Sequence, residues 1–172
     1  ITLGLSGCNS VSDGSANLSI IYGFTAVLSA LLLIGCMFLI RKNRQWFVFL
    51  FSSVLVVNIG YTLLSVSFSL EMALWANRVS YLGSVFLPLA MLMIILNITN
   101  TRTKRWVPIT LFSLAVVVFL IAASPGILPI YYSSVDIEFI NGATKLVRDY
   151  GPLHALYYVY LILAIVAVVC LN

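Results

Sequence analysis

His154 is the sole histidine of the chain, and the stretch around it, DYGPLHALYYVY at residues 149–160, is where proton or metal chemistry would have to sit. Imidazole changes charge near neutral pH and ligates metals. Asp149 and Tyr150 precede it, and Tyr157, Tyr158 and Tyr160 follow it. A second group lies earlier. Glu71, Trp75, Arg78 and Leu82 fall at helical spacing and share one face, as do Tyr150, His154, Tyr158 and Leu161. Arg78 and His154, with Trp75, Tyr81, Asp149, Tyr150 and Tyr158 around them, could converge on a small ligand. A pocket with apolar walls and a few convergent polar groups is the ordinary form of a binding site. Two plainer readings stand beside it. An arginine at a membrane edge snorkels and grips lipid phosphate, and a helix-end histidine hydrogen-bonds a neighbouring helix.

Catalysis finds no foothold in the sequence. It holds no P-loop, HExxH, GxSxG or Cys/His cluster. No catalytic residue, metal site or cofactor is expected in this chain. The three cysteines are odd in number, with Cys36 and Cys170 inside apolar runs, so they form neither a disulfide framework nor a zinc site. Cys8 closes the stretch LSGC, which fits a bacterial lipobox. Lipidation also requires a charged leader and a full apolar stretch ahead of it, and neither is visible. An ordinary polar segment is the alternative.

The elements that must position these residues are set by composition. The chain is 62% hydrophobic and 8% charged over 172 residues, with mean hydropathy +1.12. Soluble domains carry about a quarter charged residues, so an integral membrane protein is the class that fits. Continuous apolar runs, without alternation, argue for helices over a barrel. Five spans are expected, at about 18–40, 46–70, 72–98, 107–123 and 152–172, after a polar extracellular segment at 1–17. Pro152 suits the first turn of the fifth helix. Both chain ends read as cut from a longer protein.

Orientation follows from the loops. RKNRQ at 41–45 and TRTKR at 101–105 are basic with no acidic residue. The positive-inside rule puts both in the cytoplasm and the N-terminus outside. The pI near 9.1 therefore reflects loop sorting and not a nucleic-acid surface. The outer loop 124–151 contains a hairpin at 135–148 turned on Asn141-Gly142, the strongest two-residue turn signal. That turn sets Glu138 opposite Lys145 and Ile137 opposite Leu146. Val135, Ile137 and Phe139 share a face. The hairpin is either a lid on the bundle mouth or a plain connector, though a lone hairpin must pack on something. Asn58 and Tyr61 are placed for interhelical hydrogen bonds. Pro88, with Gly83 before it, is expected to kink helix three and to pass on a signal.

The order of these pieces resembles the N-terminal seven-transmembrane region of bacterial sensor histidine kinases, a region also found ahead of diguanylate cyclases. The resemblance rests on Trp75, Arg78, Tyr81, Gly83 and Pro88 in ALWANRVSYLGSVFLPLAMLMIIL, and on Gly151, Pro152, His154 and Tyr160 in YGPLHALYYVYLILA. It covers the chain from about Leu18. It implies an all-α polytopic bundle, five spans of seven, with a small extracellular β-hairpin. It also implies a bacterial cytoplasmic membrane, a cytoplasmic kinase or cyclase module in the same polypeptide, and a homodimer. His154 is followed by Ala155 and lies outside, so it is not the phosphorylated histidine of such a kinase. The expected function is sensory input from a small-molecule or membrane signal. A transporter or channel subunit, or a membrane scaffold without ligand, is the alternative. No internal repeat supports the transporter.

Overall fold

A computed structural model describes residues 13–41, 44–99, 106–126, 130–140 and 143–170. Cys8, Lys42, the basic loop at 101–105 and the Asn141-Gly142 turn lie outside the described residues. The elements run α1 (Asp13–Leu39), α2 (Arg44–Ser65), α3 (Leu70–Ile98), α4 (Trp106–Ala122), β1 (Tyr132–Ile140), β2 (Ala143–Tyr150) and α5 (His154–Cys170). The chain is mostly helical, with one two-stranded sheet. Three helices are long and apolar enough to cross a bilayer: Leu18–Leu39, Arg44–Ser65 and Leu70–Ile98. Apolar stretches of α4 and α5, Pro108–Ala122 and His154–Val166, are shorter.

Some boundaries differ from the sequence reading, each for a local reason. α1 begins at Asp13, ahead of the apolar run: no proline interrupts 13–17, an acidic residue suits a first turn, and the one glycine, Gly14, costs only about 1 kcal/mol. α2 ends at Ser65 and α3 starts at Leu70, where a continuous run to 70 was expected. Ser69 makes the break. It adopts extended geometry and its side chain accepts the Met72 N–H at 3.3 Å, capping α3, with Glu71 in the first turn. α5 starts at His154, so Pro152 precedes the helix and does not occupy its first turn. Bonds from His154 N to Gly151 O and from Leu156 N to Leu153 O, both 3.1 Å, wind a tighter turn there first.

The core is organised around α3, which is half buried where α1 and α2 are largely open. Val85, Leu89, Leu92, Met93 and Leu96 form a cluster with Ala115 and Val118 of α4 and Tyr160 of α5. On the other side α3 crosses α2 at backbone distance. A Cβ on Gly60 would lie 2.5 Å from Ser80 N, and one on Gly83 would lie close against the Ser53 carbonyl oxygen. Gly83 is thus a helix-crossing residue, whatever its share in bending α3. Asn58 Nδ2 donates to Ser29 Oγ at 3.2 Å, joining α2 to α1. Tyr61 stacks on Tyr22 of α1 at 5.9 Å. α3 runs through Pro88, whose missing N–H leaves the Ser84 carbonyl without its helical donor, and Tyr160 Oη donates to the neighbouring Val85 carbonyl at 2.9 Å. Large apolar side chains face outward along α1 and α5, Phe24 at 67% and Ile165 at 63% exposure among them. Apolar surface of that extent is stable in lipid and not in water.

The sheet is an antiparallel hairpin that extends on both sides past 135–148. Its register pairs Ile140 with Ala143, Glu138 with Lys145 and Ile137 with Leu146, as expected from the sequence, and it shifts between Tyr132 and Ser134. The hairpin packs on helix ends: β2 on α1 and α2, β1 on α3. Thr144 Oγ1 donates to the carbonyl of Ser67 in the α2–α3 turn. Val135 packs with Tyr131, Tyr132 and Ala122. The Phe139 side chain falls outside the described residues.

Candidate functional site

The polar residues gather where the hairpin meets the helices, in an aromatic cluster drawn from three places. Tyr81 comes from α3, Tyr131, Tyr132, Arg148 and Tyr150 from the hairpin and its approach, and His154, Tyr157 and Tyr158 from α5. The backbone draws these last two sets together. Gly151 N donates to Tyr131 O at 2.9 Å and Leu153 N to Ile130 O at 3.2 Å, which carries the end of β2 directly into α5. A side chain at Gly151 would meet the Ile130 carbonyl oxygen at 2.5 Å, so the approach needs glycine.

One hydrogen-bonded chain runs through the cluster. Arg148 Nη1 donates to Tyr132 Oη at 2.6 Å. Tyr132 Oη and Tyr81 Oη lie 2.6 Å apart, and either hydroxyl can donate. Tyr131 Oη donates to Tyr81 Oη at 3.3 Å. Arg148 also lies over the Tyr132 ring, 5.3 Å from its centroid. A charged side chain of the hairpin is thereby linked to the most buried helix. Burial pushes the hydroxyls of Tyr131 and Tyr132 well above the ordinary phenol value, so both stay neutral and keep their protons for bonding.

His154 sits against this chain without joining it. Its ring stacks on Tyr150 at 4.1 Å and contacts Tyr131, Tyr132 and Tyr158 at 5.0, 5.6 and 5.2 Å. Both ring nitrogens are buried and have no hydrogen-bond partner among the described residues. The interhelical hydrogen bond allowed for above is therefore absent there, and aromatic stacking holds the ring instead. Asp149 turns away to the exposed side, where Ser134 Oγ donates to Oδ2 at 2.5 Å.

Arg78 and Trp75 form a separate group. The guanidinium lies 4.9 Å from the Trp75 ring centroid. Its Nε donates to Ala123 O at 3.1 Å and its Nη2 to Pro125 O at 3.0 Å. Those carbonyls close the C-terminal end of α4, where unpaired acceptors and the negative end of the helix dipole favour a cation. Arg78→Met is expected to lower the thermal stability of the detergent-solubilised protein by the equivalent of about 1–3 kcal/mol, since two acceptors lose a charged donor. Arg78→Lys should recover part of it. A thermal-shift series comparing the three proteins checks this, and equal Tm values would contradict the capping role.

The sequence reading brought together Tyr81, Tyr150, His154 and Tyr158, and the structure places all four in the aromatic cluster. It did not single out Tyr131, Tyr132, Arg148 or Tyr157. The signal available was the Tyr131-Tyr132 pair just ahead of the hairpin and the phase of Arg148 along β2. Among the described residues the cluster holds neutral donors, acceptors and one cation. That equipment suits binding and mechanical coupling.

A multi-pass membrane protein with an aromatic-roofed bundle end is the class these features define. A family model described as the N-terminal 7TM region of histidine kinase matches residues 21–172. The chain belongs to that family. No curated protein and no solved structure matches it.

Proposed function

We propose that this chain is the sensory input region of a bacterial signal-transduction protein, with the hairpin as its receiving element. It senses an extracellular or membrane signal and passes it to a cytoplasmic kinase or cyclase module in the same polypeptide. In this reading the five helices are five of seven spans in the cytoplasmic membrane, the N-terminus and hairpin are outside, and the protein works as a dimer. The observation that carries the reading is the Arg148–Tyr132–Tyr81 chain, because it ties the exposed hairpin to α3. Tyr81, Tyr150, His154 and Tyr158 form the roof that a signal disturbs. Trp75 and Arg78 brace it at the α4 end, and Asp149 stands beside it on the outer face, bonded to Ser134. Gly83 and Pro88 pass the change along α3, where Tyr160 grips the turn before the proline. A signal acts only through different affinities for two states.

Receipt of an outside signal requires an outside hairpin. With the native cysteines replaced by serine, a single cysteine at Ser133, which is exposed on β1, should react with a membrane-impermeant maleimide on intact cells. A cysteine at Gln45, beside the first basic loop, should react only after permeabilisation. The reverse pattern would overturn the reading.

A further inference from the structure

A second recess lies under the hairpin, away from His154. It occupies about 410 Å³ between the start of α1, the end of α2 and the face of β2, within the range of small-molecule sites. Its walls are apolar and aromatic. Tyr22 and Tyr61 stand as a near-parallel pair, 5.9 Å apart with 22° between the rings, and Leu64 adds to them. Its polar end is cationic. Lys145 and Arg148 both line it, with Thr144 beside them, and among the described residues no carboxylate does.

Among the described residues no ion pair compensates this charge. Glu138 lies opposite Lys145 in the register, yet Lys145 makes no ion pair or hydrogen bond among the described residues. Arg148 gives Nη1 to Tyr132 and has further N–H donors on its fork. Asp149, next in sequence, is bonded to Ser134. Two cations in a partly enclosed apolar recess favour an anion with hydrogen-bonding oxygens. The walls favour a hydrophobic body on that anion.

We propose that this recess binds an anionic amphiphile, its carboxylate or phosphate held by Lys145 and Arg148 and its apolar body against the Tyr22–Tyr61 pair and Leu64. An anion on Arg148 competes with the Tyr132 hydroxyl for the guanidinium, so occupancy acts on the chain to Tyr81. That consequence rests on the sensory reading above; the binding does not. The anion is either the headgroup of a bilayer lipid or a free amphiphile that partitions into the membrane.

The test uses the intact protein in phosphatidylcholine nanodiscs, titrated with decanoate and with decyl phosphate by calorimetry. Both should bind saturably, whereas inorganic phosphate and decyltrimethylammonium should not. Lys145→Gln and Arg148→Gln should each weaken binding by about tenfold, equivalent to about 1.4 kcal/mol. Leu64→Trp, which fills the recess without touching the cations, should abolish it. Variants are compared only where the ligand-free Tm stays near wild type. Phosphatidylglycerol in the disc should compete with decanoate if the source is a bilayer lipid, and leave its Kd unchanged if the source is a free amphiphile. Absence of saturable binding would overturn the proposal, as would equal binding of inorganic phosphate or binding indifferent to all three substitutions. Binding that follows these rules but leaves kinase output unchanged would uphold the site and remove the sensory role.

Discussion

Gly83→Ala should strip most of the protein from the membrane, and Gly83→Val nearly all of it. The reason is backbone, not side chain. The first added carbon at position 83 would press on the Ser53 carbonyl oxygen and lie 2.8 Å from Val57 N, and neither atom can swing aside. At position 60 the first carbon would sit 2.5 Å from Ser80 N and 2.6 Å from Ser80 Cα. These two glycines are where α2 and α3 touch. Lipid supplies no hydrophobic force between helices, so close packing of small residues holds such a pair together. Separating the helices to admit a methyl loses contact along their whole length, and the penalty should exceed the about 1–3 kcal/mol usual for overpacking. Gly23→Ala is the control, because a carbon there meets nothing within 4 Å. Immunoblots of membrane fractions check it. Wild-type abundance of Gly83→Ala would contradict the α2–α3 crossing.

The second large effect is expected on output and not on abundance. Tyr132→Phe keeps the ring, and so its packing with Tyr131 at 4.8 Å and His154 at 5.6 Å. It removes the hydroxyl that Arg148 donates to and that meets Tyr81. The fold should lose about 1–3 kcal/mol of stability, the penalty for stranding partly buried partners. The hairpin should lose its polar hold on α3. Tyr81→Phe cuts the same chain from the other side. If the two hydroxyls act as a unit, the double variant should change little beyond either single one, with a coupling of about 0.5–3 kcal/mol in a double-mutant cycle. Additive effects would mean the two tyrosines act separately.

The helices were legible in the sequence because lipid demands long apolar runs, and such runs need no partner to be recognised. The hairpin register was legible because a two-residue Asn-Gly turn leaves one pairing, and Glu138 opposite Lys145 fits it. Long-range facts were not. Gly83 read as a loosening point near Pro88, since a sequence does not show that Ser53 lies against it. The tie of Arg78 to the α4 end depends on where α4 docks on α3. Arg148 was not singled out, because its partner Tyr132 lies across a strand pair and beside a register shift. The break at Ser69 was a local signal, a capping serine with Glu71 behind it, hidden inside apolar sequence.

That the hairpin sets output through Tyr132 and Tyr81 is tested most directly by one rate. The output rate of the intact protein, autophosphorylation by ATP for the kinase module proposed above or turnover of GTP for a cyclase module, should be measured in membrane vesicles, wild type against Tyr132→Phe and Tyr81→Phe, at matched abundance. Ser113→Ala serves as control, its hydroxyl being bonded within its own helix to Ile109 O. Both tyrosine variants should differ from wild type severalfold and in the same direction, with the control unchanged. Wild-type rates from both would contradict coupling through this chain.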